Sequence, residues 1–245
     1  MTQLSGLPAG ITGSGSNSDR VRLLARQLIT IALDFFFPPR CLQCKRVGSL
    51  LCPACLDKIP VPSPVHDMGS PLSERRATAV FEGVIRDAIH ALKYESRRRY
   101  AEPLGQRLAG ELTRSGWQPT LITSVPLHES RQRARGYNQC DLLAIQVAQT
   151  TGIPFRPDAI RRVRDTHAQV GLGAHDRQLN VAGAFQAVPD TVNGQRITII
   201  DDVCTTGATL RECASALLET GATKVWALTV ASAKHRDDTS DDRFV

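Results

Sequence analysis

The segment from residue 196 to residue 220 constrains the fold more than any other part of the sequence. It opens with the largely apolar, β-branched run RITII, which is typical of a buried strand, and it ends in a predicted helix over 208–220. Two adjacent carboxylates, Asp201 and Asp202, and the string TTGAT stand between the strand and the helix. A strand that leads directly into a helix is typical of an α/β fold with a parallel sheet.

Short β-like runs alternate with helical ones from about residue 77 onward. This order predicts a mostly parallel sheet with helices on both faces. The chain has 245 residues, of which 42% are hydrophobic and 22% charged, so it can bury a core, while its 18 Gly and 14 Pro exclude a coiled coil. The predicted strands are 78–81, 120–125, 159–163, 184–188, 196–200 and 224–231, and the predicted helices are 83–94, 100–115, 138–150 and 208–220.

The sequence contains no candidate membrane span. No segment reaches the roughly 18 uninterrupted apolar residues of a membrane span, and the early apolar stretch lacks a signal-peptide cleavage site. We therefore expect a cytoplasmic protein without a transmembrane segment.

Composition shifts along the chain predict five parts. They are a disordered tail (1–19), an N-terminal helix and four-cysteine module (20–60), a Pro/Ser-rich linker (61–76), the α/β domain (77–232) and a second disordered tail (233–245).

The residues between the strand and the helix suit a phosphorylated sugar. Backbone N–H groups at a helix N-terminus lack partners within the helix and attract anions. Thr205, Thr206 and Thr209 add hydroxyl donors, and Gly207 lets the backbone approach a ligand closely. Carboxylates just upstream can accept hydrogen bonds from the vicinal hydroxyls of a ribose. The alternative to a ligand site is an ordinary turn with a Thr N-cap. A Walker A loop is excluded, because its lysine-containing pattern is absent.

A second polar segment follows the predicted strand at 120–125. The net charge of +6 favours an anionic partner without separating a nucleic acid from a phosphorylated small molecule. Arginine suits bidentate contact with phosphate oxygens, so we predict an arginine-rich turn that clamps a diphosphate at the same sheet edge. The alternative is a solvated basic face. The residues of this diphosphate loop are Pro126, Leu127, Arg131, Arg133 and Arg135.

Four of the seven cysteines form two CxxC pairs, Cys41/Cys44 and Cys52/Cys55. Four thiolates satisfy tetrahedral zinc, so we predict a structural Zn2+ ion that stabilises a segment too small for its own core. Disulfide redox chemistry and an iron–sulfur cluster are the alternatives. The odd number of cysteines favours a reducing compartment. Cys204, beside the acidic pair, is interpreted as incidental rather than as a redox handle.

The string DDVCTTGAT resembles the phosphoribosyl diphosphate (PRPP) binding motif of type I phosphoribosyltransferases. The resemblance implies that two catalytic acids, Asp201 and Asp202, hold the ribose 2′ and 3′ hydroxyls, that the loop binds the 5′-phosphate, and that Mg2+ accompanies PRPP. The PRPP-binding residues that it implies are Asp201, Asp202, Val203, Thr205, Thr206, Gly207, Ala208 and Thr209.

Further matches resemble the ComF family, whose members are associated with competence and DNA uptake. This resemblance implies a type I phosphoribosyltransferase-like domain with a small N-terminal zinc-binding module. The basic YESRRRY at 94–100 departs from the Gly-containing turn of the family and leaves the role of Lys93 open. The matching elements are the CxxC pairs after FPP, FEGVIRDAIHALKY at 81–94, VPLHESRQRARGYNQ at 125–139, and the stretch with Thr166, Gln169, Arg177 and Asn180.

The function expected from these features is that of a PRPP-binding, phosphoribosyltransferase-like protein that supports DNA uptake. Two alternatives stay open. One is a protein that binds single-stranded DNA and works with DNA-uptake or recombination proteins. The other is a PRPP sensor that has lost catalysis. No residue obviously supplies a base for an acceptor; His128 and Glu129 are candidates for proton transfer and equally for plain loop residues.

Overall fold

The computed structural model describes residues 38–66, 70–164 and 181–233. The predicted helix and tail before residue 38 lie outside these ranges, as does the predicted C-terminal tail after residue 233. Thr166, Gln169, Arg177 and Asn180 also lie outside them. Within the described ranges, no helix has both the length and the apolar character that crossing a membrane requires.

Two sheets account for the strands. β1 (Glu74–Ala77), β2 (Leu121–Ser124), β5 (Arg196–Cys204) and β6 (Lys224–Ser232) form a four-stranded sheet in the order β1–β6–β5–β2. All of its neighbouring strands are parallel, which confirms the predicted parallel α/β sheet. β3 (Ile160–Arg162) and β4 (Phe185–Ala187) pair antiparallel in a separate two-stranded sheet.

The four predicted helices are all present, with bounds within one or two residues of the prediction. Two short 3-10 turns, Arg98–Tyr100 and Pro157–Ala159, accompany them. The helices are α1 (Pro53–Leu56), α2 (Gly83–Tyr94), α3 (Ala101–Ser115), α4 (Glu129–Arg135), α5 (Gln139–Thr151), α6 (Pro189–Val192) and α7 (Ala208–Glu219).

The central sheet is covered on both faces. Alternate residues of β6 belong to different cores: Trp226 and Leu228 pack with α2, α3 and α5, whereas Val225 and Ala227 pack with α7. A strand that is buried on both faces reads as a nearly continuous apolar run, which is why β5 and β6 were recognisable in the sequence. Trp226 also stacks on Trp117, with ring centroids 5.6 Å apart.

The first strand lies just before its predicted position at 78–81 and inside the segment predicted as a linker. Its sequence, ERRA, is polar because β1 is the edge of the sheet, so the search for apolar runs missed it. Arg76 pairs with Glu74 and, at 3.1 Å, with Glu111 of α3. Beyond β1, Val80 forms only an isolated bridge with Ser232.

The arginine-rich segment is a helix, α4, and not the predicted turn. His128 caps its start, with Nδ1 accepting a hydrogen bond from the Ser130 N–H at 3.4 Å, and Gly136 ends it in a left-handed conformation (φ 76°). α4 buries none of its residues. It therefore has no apolar periodicity from which a sequence pattern could predict a helix.

Arg107 of α3 joins the cysteine module to the domain. Its guanidinium donates to the carbonyl oxygens of Leu56 (2.8 Å) and Ile59 (3.0 Å) on one side and of Thr78 (2.7 Å) on the other. Three backbone carbonyls are thus satisfied by one side chain. The module is therefore anchored on the α/β domain at the start of the polypeptide that leads to β1.

Helices α3 and α5 approach closely at Gly105. A Cβ on Gly105 would lie 2.3 Å from the Cβ of Gln146. We expect Gly105→Ala to lower the free energy of unfolding by about 1–3 kcal/mol, because the helices must move apart. Gly110→Ala in the same helix is the control: its nearest neighbour would be Arg114 Nη1 at 3.6 Å, so helix propensity should raise stability by about 0.5–1 kcal/mol. Urea denaturation measures both, and equal effects would contradict the close packing.

Candidate functional site

The two adjacent carboxylates lie within β5, near its carboxyl end, where ligands bind in open α/β sheets. Both side chains approach the Cys140 sulfur, which lies 3.3 Å from Asp201 Oδ1 and 3.9 Å from Asp202 Oδ2, but they differ in burial. Asp202 is buried, with 3% of its surface exposed, while Asp201 is partly exposed. The resemblance gave both acids one role, but their surroundings are distinct.

Asp202 is engaged on both carboxylate oxygens. Lys93 Nζ, from the last turn of α2, lies 2.7 Å from Oδ1. Gln139 Nε2, from the first residue of α5, donates to Oδ2 at 2.5 Å. Burial alone would lower the pKa of Lys93, but the charge and hydrogen bond of Asp202 raise it, so the ammonium stays charged. Asp202 therefore joins α2, α5 and β5 through a partly buried ion pair and a hydrogen bond.

Asp201 is the acid that borders the loop. It lines a small cavity of about 40 Å3 together with Val203 and the residues that follow up to Leu210. Its Oδ1 accepts the Asp202 N–H at 2.8 Å and the thiol of Cys140 at 3.3 Å. Poor solvation of its carboxyl group and the nearby Asp202 carboxylate raise the pKa of Asp201 to about 7. Hydroxyl groups of a ligand could replace part of the missing solvation.

The predicted phosphate loop leads from β5 to the N-terminus of α7. Gly207 is the N-cap of this helix and has φ 78°, a left-handed conformation that glycine adopts without strain. Thr206 Oγ1 accepts a hydrogen bond from the Ala208 N–H at 3.4 Å. Thr205 is exposed and Thr209 is partly exposed, so both hydroxyl side chains can reach a ligand. The loop therefore brings backbone donors and hydroxyls together beside Asp201.

A cavity of about 290 Å3 lies between α2 and α4 and holds three cationic side chains, Lys93, Arg131 and Arg135. Lys93 connects this cavity to the acidic pair through its contact with Asp202. Arg133 does not line the cavity; it pairs with Glu129 at 3.0 Å on the exposed side of α4. The predicted arginine cluster is thus divided between two surroundings.

The other residues of the predicted diphosphate loop, Pro126 and Leu127, connect β2 to α4 and are partly exposed. Two further groups, which no sequence pattern singled out, complete the site. Gln139 ends the RGYNQ segment, which was singled out only as a whole, and Cys140 follows it. Burial raises the pKa of the Cys140 thiol well above its ordinary value, so it stays protonated and can donate to Asp201.

The four N-terminal cysteines converge in space. Their sulfur atoms all lie within 4.8 Å of one another, and those of Cys44 and Cys52 are 3.6 Å apart. Tetrahedral zinc thiolates, with Zn–S bonds of about 2.3 Å, require sulfur separations of roughly 3.8 Å. Burial opposes ionisation of Cys41, but the backbone N–H groups of Cys52, Cys44 and Gln43 lower its pKa to about 6. The cluster can therefore hold a metal ion, and all seven cysteines of the chain are free thiols.

Sequence relatives identify the family. Competence protein F of Haemophilus influenzae is 40% identical over 114 residues, which cover 45% of this chain and 50% of that protein. The DNA utilization protein YhgH of Escherichia coli K12 is 33% identical over 197 residues, which cover 78% of this chain and 82% of that protein. The chain belongs to the ComF family. Competence protein ComFC of Bacillus subtilis is 30% identical over 101 residues, covering 41% of this ComF-family chain and 39% of that protein. No protein-family model matches the chain.

Solved structures match parts of the chain weakly. Glutamine PRPP amidotransferase from Bacillus subtilis is 26% identical, with a TM-score of 0.37 over 53% of this chain and 26% of that chain. Purine phosphoribosyltransferase from Pyrococcus horikoshii is 17% identical, with a TM-score of 0.35 over 54% of this chain and 73% of that chain. Because both TM-scores are low, the family assignment rests on the sequence relatives alone. The ComF-family chain combines a parallel α/β domain with a small four-cysteine module, as predicted.

The two acids should respond oppositely to neutralisation. The pKa of Asp201 is raised from 3.8 to about 7, so its contribution to stability is present below pH 4 and is lost as the pH rises through 7. Asp201→Asn should therefore raise the stability of the ligand-free protein at pH 8 by about 1–3 kcal/mol, and by less at pH 5. Asp202→Asn should lower stability at pH 8 by about 3–5 kcal/mol, because Lys93 loses its partner. Urea denaturation at both pH values tests this, and destabilisation by both variants at pH 8 would refute the division of roles.

Proposed function

We propose that this ComF-family chain binds PRPP in a phosphoribosyltransferase-like site and supports DNA uptake. The observation that carries the proposal is the arrangement at one sheet edge: a cationic cavity, a partly exposed carboxylate and a Thr/Gly loop at a helix N-terminus. PRPP offers a diphosphate, two ribose hydroxyls and a 5′-phosphate in the same order. The names of the Haemophilus and Escherichia relatives, competence protein F and DNA utilization protein, support the biological role.

Each part of PRPP has a proposed subsite. The ribose hydroxyls donate to Asp201, the 5′-phosphate accepts hydrogen bonds from the loop at 205–209, and the diphosphate lies in the cavity with Lys93, Arg131 and Arg135. As the diphosphate leaves C1, negative charge grows on its oxygens and positive charge grows on the ribose. Cations held in place at the diphosphate stabilise this transition state. Asp202 acts indirectly, because it fixes Lys93.

We propose Mg2+ as the ion that accompanies PRPP. The donor set fits, because Mg2+ prefers carboxylate and phosphate oxygens and Asp201 offers a partly exposed carboxylate. When bound, the ion neutralises part of the diphosphate charge. The protein's cations would orient the same group.

The acceptor of a phosphoribosyl transfer is not assigned by these residues. His128 caps α4, and its Nδ1 lies 2.9 Å from Ser130 Oγ. Glu129 pairs with Arg133 at 3.0 Å. Both candidates for proton transfer are thus engaged in local contacts of α4. Phosphoribosyl transfer to an acceptor is therefore a proposal that rests on PRPP binding alone. A PRPP sensor without catalysis would use the same binding site.

Binding of single-stranded DNA is a second candidate function, which one surface feature favours. The Tyr94 side chain is 66% exposed, and the Arg135 guanidinium lies 5.3 Å from its ring centroid. The basic segment at 97–99 begins three residues after Tyr94. An exposed aromatic ring beside arginines can stack a base while the cations contact the phosphates. This surface adjoins the cationic cavity, which Tyr94 also lines.

Calorimetric titration of PRPP with Mg2+ tests the proposed function. We expect saturable binding by the wild type, at least about tenfold weaker binding by Asp201→Asn, and similarly weakened binding by the double variant Arg131→Ala/Arg135→Ala, because each removes a charged contact worth about 1.5–3 kcal/mol. Arg133→Ala is the matched control and should change the affinity by less than about threefold, since Arg133 lies outside the cavity.

Two outcomes would redirect the assignment. If the wild type fails to bind PRPP but retains a labelled single-stranded oligonucleotide at low salt, the site serves nucleic acid instead. If PRPP binds but no acceptor in a screen releases diphosphate, the sensor alternative is favoured.

We propose Zn2+ as the metal of the cysteine cluster and a reducing cytoplasm as its setting. Elemental analysis should find about one zinc per chain in the wild type and in Cys213→Ala, whose cysteine lies in α7, and clearly less in Cys52→Ser. Chelation should lower the melting temperature by about 5 °C or more, because loss of the module exposes the contacts that Arg107 makes. A metal-free wild type with an unchanged melt after chelation would refute the zinc proposal.

A further inference from the structure

Arg75 is a cation that the proposed mechanism does not yet use. It lies in the edge strand β1, where Glu74 and Arg76 face α3 and Trp117, so the alternation of the strand turns Arg75 to the opposite face. There its Nη1 lies 2.6 Å from the sulfur of Cys204, the last residue of β5. A residue far away in sequence thus reaches the start of the phosphate loop.

The guanidinium of Arg75 lies close to the middle of that loop. A Cβ placed on Gly207 would be 3.2 Å from Arg75 Nη1 and 3.1 Å from Nη1 of Arg211. Arg211 also donates to the Thr206 carbonyl at 3.0 Å. Two guanidinium groups therefore lie close to one glycine of the loop.

Arg75 lacks a carboxylate partner among the described residues, since its side-chain contact there is the Cys204 sulfur. Burial raises the pKa of that thiol, and although Arg75 opposes the shift, the sulfur stays protonated at neutral pH and brings no charge. Arg76, the next residue, contrasts with it, because Arg76 pairs with both Glu74 and Glu111. A partly buried guanidinium without a counter-charge is costly, so this position favours an anion.

The position is open to a ligand. Arg75, Cys204 and Thr205 line a cavity of about 420 Å3, which Val61 and Val65 also line. Cys204 and Thr205 also line the small cavity of the phosphate loop, so the two spaces share a border. The backbone of Val65 exchanges two hydrogen bonds with that of Arg75, at 2.9 and 3.0 Å, and holds the strand that carries the guanidinium.

We propose that Arg75 is a phosphate-binding residue, which contacts the 5′-phosphate of the ligand from the side of β1 while the loop at 205–209 contacts it from the side of α7. This inference rests on the proposed function and adds to it a specificity determinant for a sugar 5′-phosphate. The planar guanidinium can contact two phosphate oxygens at once and offsets part of the phosphate's negative charge. Neutral hydroxyls and backbone N–H groups donate hydrogen bonds but bring no positive charge.

The test separates the two ends of the ligand. Ribose 5-phosphate and inorganic diphosphate are titrated calorimetrically into the full chain. Arg75→Gln should weaken ribose 5-phosphate binding at least tenfold and leave diphosphate binding within about twofold. Arg86→Gln is the control and should change neither affinity, because Arg86 is exposed and pairs with Asp87 at 3.0 Å. Arg75→Lys, which keeps the charge but not the fork, should restore only part of the affinity for ribose 5-phosphate.

The melting temperature of the ligand-free protein separates a binding role of Arg75 from a purely structural one. A binding role predicts that Arg75→Gln melts no lower than the wild type, because the guanidinium has no carboxylate partner among the described residues. A structural role predicts a lower melting temperature. A lower melting temperature together with unchanged ribose 5-phosphate affinity would overturn the inference, as would unchanged affinity alone. If the wild type binds neither PRPP nor ribose 5-phosphate, the proposed function fails and this inference fails with it. If the wild type and Arg75→Gln bind PRPP and ribose 5-phosphate equally well, this inference alone is wrong.

Discussion

The arrangement of the site depends on the ion pair between Lys93 and the buried carboxylate of Asp202. It connects the end of α2 to the end of β5, and the hydrogen bond from Gln139 adds the start of α5. A carboxylate with only 3% exposure requires such partners, because an unpaired buried charge costs several kcal/mol. The same pair holds an ammonium group at the wall of the cationic cavity. One interaction thus connects the acidic pair to α2, to the start of α5 and to the wall of the cationic cavity.

The electrostatic pattern along the sheet edge follows from this constraint. Asp202 is neutralised from within the protein, so Asp201 is left to face the loop, with a raised pKa of about 7 that reflects poor solvation and the neighbouring carboxylate. Cations lie on both sides of it, in the cavity with Arg131 and Arg135 and around Gly207 at the loop. A ligand with hydroxyls in its centre and phosphates at both ends matches that distribution. The cysteine module contributes indirectly, because its connector pairs with the strand that carries Arg75.

Sequence patterns predicted the elements whose buried residues form a regular pattern within one short segment. The apolar runs of β5 and β6 and the helical periodicity of α2, α3 and α7 were sufficient, and the CxxC spacing predicted a convergence of sulfur atoms that the structure contains. β1 was misplaced because an edge strand of polar residues carries no apolar signal, and α4 was taken for a turn because it buries no residue.

The candidate site was predictable only in part, for a related reason. Asp201 and the loop are contiguous in sequence and share a recognisable pattern. Lys93, Gln139 and Arg75 reach them from segments far away along the chain, so their contacts depend on how helices and strands pack. Arg133 shows the opposite error: spacing grouped it with Arg131 and Arg135, but its side of α4 faces solvent and Glu129.

The most direct test of the account is a crystal structure of the protein with PRPP and Mg2+. The account predicts the 5′-phosphate within the loop at 205–209, the ribose hydroxyls on Asp201, the diphosphate beside Lys93, Arg131 and Arg135, and Asp202 still paired with Lys93. A ribose held by Asp202 after release of Lys93, or a ligand bound away from this sheet edge, would contradict it.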